Sequence, residues 1–299
     1  MTELGDKFLL DNWQEMDETA QCELVRALAS KCLHGYSVEN ILPYFNLVDP
    51  QICIRVPSFI HQGTGLRFKL ILGGWYKMGM SNDELASAQV ISSTLPFDPD
   101  TLQPAHDVFI KPFLITEFPL LDTFVRKHIQ IDKGVFRPDF TDVVDGSFAP
   151  IYLTRSEIDE IKRKTCFCLP SEAQWEYAFR GGTKTLFNFG NSLPSEAELE
   201  IHMLSTFENE VLCKKNANAF GLVGLHVGDW CEDSYFSRLS TTASDQPILG
   251  KSPFVVRGGA APYWPWETNE RWILCVSSMR WSVEPDVSCG AHLVKNLNL

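Results

Sequence analysis

The 299-residue sequence has no apolar run long enough to cross a bilayer, which takes about 20 residues as a helix. Its first stretch, MTELGDKFLLDNWQEMDE, is acidic and lacks the basic start and apolar segment of an export signal, so a cytoplasmic protein is expected, with no membrane partner. Positive charge is in deficit. Lys and Arg total 26 against 38 Asp and Glu, for a formal net charge of -12 and a pI near 5.0. That disfavours nucleic acid and anionic membrane surfaces, which recruit basic patches. No C-x-x-C occurs, and the nine cysteines are an odd, scattered set, so reduced thiols are expected and a structural zinc is not. Cys166 and Cys168 form a C-x-C, a weak metal signal without a second pair. Internal repeats and low-complexity tracts are absent as well.

Aromatic residues are what the chain has in abundance, with eight Trp and twenty Phe. With few long periodic segments between them, they imply a core stitched by aromatic packing. Residues 1–60 read as a mostly helical N-terminal extension packed on a main domain at 61–299. Met16, Ala20, Leu24, Val25, Leu28 and Cys32 recur at helical spacing, with Asp17 as N-cap and Gly35 as stop. From residue 67, RFKLILGGWYKMGM reads as a strand, a Gly-Gly turn and a strand, and HDVFIKPFLITEF (106–118) as another strand pair. Helical spacing returns at 119–129, and residues 130–150 look like a loop. Thr154 with Glu157 and Ser171 with Gln174 are capping boxes opening two helices, the second closed by Gly181-Gly182. Trp175 and Trp230 are assigned to the core.

Several motifs, in order along the chain, resemble the formylglycine-generating-enzyme and sulfatase-modifying-factor family. They are Gly73-Gly74-Trp75-Tyr76-Lys77-Met78-Gly79-Met80-Ser81, the strand Val108–Ile115, and the long run Cys168-Leu169-Pro170-Ser171-Glu172-Ala173-Gln174-Trp175-Glu176-Tyr177-Ala178-Phe179-Arg180-Gly181-Gly182. Phe189-Gly190-Asn191, Asn218-Ala219-Phe220-Gly221-Leu222, Gly228-Asp229-Trp230-Cys231-Glu232-Asp233-Ser234-Tyr235 and Arg257-Gly258-Gly259-Ala260 complete the series. The resemblance covers about residues 63–294. It implies an α+β fold of the formylglycine-generating-enzyme, C-type-lectin-like kind, low in regular secondary structure and carrying the N-terminal helical extension.

The family's oxidases bind copper through two cysteines that follow the R-G-G-S turn, and soft thiolates suit Cu(I). Counting from Ala260, those two positions hold Tyr263 and Thr268, neither of which supplies a thiolate. The family's calcium segment is shortened to Leu225-His226-Val227-Gly228-Asp229-Trp230. Asp229 remains as one carboxylate where calcium needs six to eight oxygens, so no cofactor is expected and calcium stays only as an outside alternative. The family's closing G-F-R is replaced by Gly290-Ala291-His292. An iron-dependent branch of the family uses an H-x-x-x-E motif, and neither His34 nor His61 has a Glu four residues on.

The segment after Arg257-Gly258-Gly259 carries Tyr263, Trp264, Trp266, Glu267, Asn269, Arg271 and Trp272. Trp, Tyr and Arg bury large areas with few rotors and keep a polar handle, as binding hot spots do. These side chains either display a contact surface or fill the core, with Trp264, Trp266 and Arg271 the foremost candidates for exposure. His202 and His226 have no ligand partner at a defined spacing. The expectation is a non-catalytic protein that recognises a protein partner, or a small ligand, through residues 260–272. The acidic charge suits a basic partner, such as an enzyme or toxin to be neutralised. Two alternatives stay open: a metal-dependent oxidoreductase rewired around Tyr263, His226, Asp229 and Cys231, and a subunit that pairs with an active homologue. Oligomeric state is not readable.

Overall fold

A computed structural model describes residues 3–128, 150–193, 195, 217–223, 228–242, 244–259 and 273–299. The chain opens with α1 (Glu3–Asp6), α2 (Leu10–Gln14) and α3 (Glu18–Cys32). Asp17 caps α3, its carboxylate accepting from the Ala20 amide at 2.8 Å. Phe8 and Trp13 are fully buried, and the Trp13 indole donates to the Arg55 carbonyl at 2.8 Å, so these helices pack on the strands that follow.

Helix stops at Cys32, which corrects the mostly helical reading of residues 1–60. Tyr36–Phe45 (β1) and Cys53–His61 (β2) form an antiparallel hairpin whose second strand pairs with Arg67–Ile71 (β3). YSVENILPYF and CIRVPSFIH are rich in β-branched and aromatic residues and carry prolines, a composition that suits a half-buried strand pair and breaks a helix.

The remaining elements are β4 (Gly74–Met78), α4 (Asn82–Ile91), β5 (His106–Ile110), β6 (Phe113–Thr116), α5 (Asp122–His128), α6 (Arg155–Thr165), α7 (Glu172–Arg180), β7 (Asp229–Ser234), β8 (Phe254–Arg257), β9 (Arg280–Val283) and β10 (Val294–Asn296). Strands run antiparallel in three sheets, ordered β1-β2-β3-β6-β10, β4-β5 and β7-β8-β9. The expected strand pairs at 67–80 and 106–118 exist as strands, but neither closes as a hairpin. At Gly73-Gly74 and at Lys111-Pro112 the chain crosses between sheets, so β3 pairs with β6 and β4 with β5. Only glycine fits that crossing: a Cβ on Gly73 would lie 2.6 Å from the Ile110 carbonyl and 2.8 Å from Pro112 Cδ.

Helix α7 sits at the junction of all this. Ser171 Oγ accepts from the Gln174 amide at 3.1 Å, and Gln174 Oε1 accepts from the Ser171 amide at 3.0 Å, forming the expected capping box. Gly181 closes the helix in the left-handed region at φ 54°. Asn218 holds that end, donating to the Ala178 carbonyl at 2.6 Å while its own oxygen accepts from the Phe220 and Leu222 amides. Trp175 and Trp230 are both fully buried, with Trp175 stacked on Phe179 at 4.8 Å. Among the described residues no helix is long and apolar enough to cross a membrane.

Candidate functional site

The predicted contact residues Tyr263, Trp264, Trp266, Glu267, Asn269, Arg271 and Trp272 lie outside the described residues, as do Ala260, Thr268, His202 and His226. What the structure does describe is the stem from which residues 260–272 depart and to which they return. β8 leads in through Arg257, β9 leads away from Arg280, and these two residues are register partners. Gly258 takes a φ of 87°, which explains glycine after Arg257. The Trp281 indole donates to the Gly258 carbonyl at 3.2 Å, tying the exit strand to the entry turn.

Arg257 is the pin of this stem. It is fully buried, with its guanidinium 5.6 Å from the Trp175 ring centroid. Its Nη1 donates to the Ser278 carbonyl at 2.7 Å and its Nη2 to the Ser277 carbonyl at 3.3 Å, so one side chain grips the turn that leads into β9. The same guanidinium meets Glu176 and lies 3.3 Å from Glu172.

These contacts belong to a chain of six buried charges. Arg180 Nη1 donates to Glu84 Oε1 at 2.8 Å and Arg180 Nε to Glu176 Oε1 at 2.9 Å. Arg257 bridges Glu176 to Glu172, and Arg280 clamps Glu172 through Nε at 2.6 Å and Nη2 at 3.0 Å. None of the six is more than 6 % exposed. Three carboxylates balance three guanidiniums. Although burial pushes Glu176 up, Arg257, Arg180 and the Gly79 amide outweigh it and hold the carboxyl below the usual range. Glu172, Glu176 and Arg180 recur every four residues along α7, so one helix face carries half the network. The sequence reading missed this set, because charged helix residues at that spacing normally mark a solvated face. The signal was there in Ser171–Gly182, where apolar and charged residues together leave α7 no face for water.

Beside the network, Asp233 accepts from the Glu172 amide at 2.7 Å and from the Ile248 amide at 2.8 Å. Burial and then the nearby Glu172 push its carboxyl up to about 7. A cavity of about 20 Å³ lined by Glu172, Asp233, Ser234, Phe236 and Arg280 has room for roughly one water molecule. That is far below the several hundred Å³ of a small-molecule site.

Asp229 and His292 occupy the region where the sequence left calcium open. Both are fully buried, His292 Nδ1 lies 2.7 Å from Asp229 Oδ2, and the Trp175 indole donates to the same oxygen at 3.1 Å. His292 Nε2 lies 3.3 Å from the Val223 carbonyl. Oδ2 of the surviving carboxylate is thus engaged with His292 and the Trp175 indole, while Oδ1 is buried without a hydrogen-bond partner. Among the described residues no cluster of three or more His, Cys, Asp or Glu could hold a metal ion. Of the rewired constellation, Cys231 is fully buried, and burial followed by Asp233 pushes its thiol well above the ordinary value. Ser58 and Lys69, with 2.8 Å between Oγ and Nζ, are equally closed, since Lys69 also donates to Tyr44 and pairs with Glu117 at 3.1 Å.

The sulfatase-modifying factor enzyme 1-like domain model matches residues 61–264, more than half of the chain. The chain belongs to this family. Within the sulfatase-modifying-factor fold, the solved structure of PvdO from Pseudomonas aeruginosa superposes with a TM-score of 0.56 at 17 % identity, covering 80 % of this chain and 98 % of that one. Treponema denticola variable protein 1 superposes with a TM-score of 0.54 at 19 % identity, covering 77 % and 95 %. No curated protein matches the chain in sequence. At these identities the structural likeness establishes the α+β, C-type-lectin-like fold, and the mixed helices and antiparallel sheets described above agree with it.

Proposed function

We propose that this chain is a non-catalytic recognition protein on the sulfatase-modifying-factor scaffold, engaging a protein partner through residues 260–272. The supporting observation is the pinned stem: Arg257 joins the strand entering that segment to the strand leaving it and anchors both in a buried charge network on α7. Function in such folds resides in segments carried by a rigid frame. The segment's Tyr263, Trp264, Trp266, Arg271 and Trp272 are of the types that dominate binding energy. Tyr263 and Thr268 stand where the family's oxidases place thiolates, and the described Cys231 is closed to substrate. The net charge of -12 favours a basic partner by steering its approach. The protein requires no cofactor for this role.

The test is quantitative capture of partners from the native cell by tagged wild type and by Trp264→Ala and Arg271→Ala chains of unchanged melting temperature. The proposal expects a defined partner whose recovery falls at least about tenfold with either change, the effect of losing a hot spot of 1.4 kcal/mol or more. Equal recovery by all three chains removes the segment from the account.

A further inference from the structure

Asp233 is a buried carboxylate that the charge network leaves unpaired. Glu84, Glu172 and Glu176 each meet a guanidinium, whereas no Lys, Arg or His among the described residues forms an ion pair with Asp233. Its carboxylate accepts from the backbone amides of Glu172 at 2.7 Å and Ile248 at 2.8 Å. An ionised carboxylate offers about four acceptor positions, so these amides leave room for a further donor. Ser234, the next residue along β7, is 3 % exposed, and its hydroxyl is enclosed without a hydrogen-bond partner.

Both residues line the cavity of about 20 Å³, so an unpaired carboxylate and an unpartnered hydroxyl border one water-sized space. Phe236 and Gln246 line it as well and are exposed, which marks the side where the recess meets solvent. Arg280 also lines it, but its guanidinium is committed. Nε and Nη2 clamp Glu172 at 2.6 and 3.0 Å, and Nη1 donates to the Phe236 carbonyl at 2.8 Å. Arg238, at the exposed rim, forms no ion pair there. The charged groups facing Asp233 are therefore Glu172 from α7, Arg280 from β9 and Arg238 beyond the end of β7. Since the network around Glu172 balances its own charges, an ionised Asp233 is the uncompensated one.

We propose that this recess binds a primary ammonium group, presented by a lysine side chain of a partner protein or by a small amine. Such a head is close to a water molecule in size and carries three N–H donors, which suits a small space with free acceptors on Asp233 and Ser234. A guanidinium is a larger planar fork, and calcium takes six to eight oxygens. Among the described residues no cluster of acids, histidines and thiols could hold a metal ion. A charge-assisted bond to Asp233 is stronger than one from a neutral water, and the methylenes behind the ammonium pack along the exposed Phe236 ring. The site needs nothing from residues 260–272.

The experiment is urea unfolding of the full-length chain at rising methylammonium chloride, with tetramethylammonium chloride holding the ionic strength constant. Tetramethylammonium has no N–H donor and exceeds a water-sized recess, so the difference isolates ammonium binding to the folded chain. Wild type, Asp233→Asn and Ser234→Ala are compared at pH 5 and pH 8, each verified as folded by its melting temperature. Potassium chloride and Nα-acetyl-lysine methylamide are parallel probes. Saturable stabilisation by methylammonium is expected in the wild type at pH 8. Its affinity falls at least about tenfold in Asp233→Asn, the loss of one charge-assisted bond, and falls also in Ser234→Ala. Asp233 keeps its proton up to about pH 7, so a cation that needs the ionised carboxyl binds about 10²-fold more weakly at pH 5 than at pH 8. Tighter binding of the lysine amide than of methylammonium assigns the site to a partner's lysine, and the reverse assigns it to free amines. No saturable effect, an effect unchanged in Asp233→Asn or independent of pH, or an equal response to potassium overturns it.

Discussion

Replacing Arg257 with Met tests whether the buried network holds the stem. The change keeps an unbranched side chain of similar reach and removes the charge. Glu176, fully buried, then keeps only Arg180 and the Gly79 amide, Glu172 keeps Arg280 alone, and the Ser277 and Ser278 carbonyls lose their donor. Breaking a buried ion pair from one side destabilises by about 3–5 kcal/mol, because the remaining charge stays desolvated. The surviving pairs place the expectation near the lower figure, and the two stranded carbonyls add about 1 kcal/mol each. Urea unfolding followed by tryptophan fluorescence measures it, and the melting temperature should fall by about 6–10 °C at roughly 2 °C per kcal/mol for a chain of this size. Changing Glu176 to Gln in the Arg257→Met chain should restore part of the loss, since it removes the stranded charge. A loss below about 1 kcal/mol for Arg257→Met, or no recovery in the double change, would refute the reasoning.

Three further outcomes follow from the same coordinates. Asp233 has its folded carboxyl raised from 3.8 to about 7, so the folded chain keeps a proton that the unfolded chain releases. Its contribution is present below about pH 4 and lost as pH rises through 7. Wild type should therefore lose up to about 4 kcal/mol more than Asp233→Asn between pH 4 and 8, measured by urea unfolding. His292→Ala strands the buried Asp229 with only the Trp175 indole and should destabilise by about 3 kcal/mol in the same assay. Gly221→Ala places a Cβ 2.7 Å from Tyr44 Cζ at a φ of 72°, so a melt should show a loss of about 1–3 kcal/mol.

Much of this architecture was legible because local chemistry announced it. Asp17, Ser171 with Gln174, Thr154 with Glu157, and Gly181 sit where caps and stops were expected, since those side chains satisfy helix ends without help from the rest of the fold. The ordered motifs identified the scaffold, and Trp175 and Trp230 are core as expected. Elements decided by distant partners were not legible. Residues 36–61 become strands because β3 offers them an edge, and Gly73 and Pro112 send two apparent hairpins into separate sheets. The charge network was hidden for a related reason. Nothing near Glu172 or Glu176 in sequence says that Arg257 and Arg280 arrive from 81 or more residues away. His292 was noted as a replacement for an arginine, but its partner Asp229 lies 63 residues upstream.

Oxygen consumption tests the central claim most directly. The reduced chain is incubated with Cu(I) and cysteine-containing peptides in an oxygen electrode. A scaffold with a phenol and an aliphatic hydroxyl in place of two thiolates predicts no uptake above the protein-free rate and no aldehyde in the peptide. Turnover that consumes oxygen and yields peptide aldehyde would contradict the non-catalytic reading.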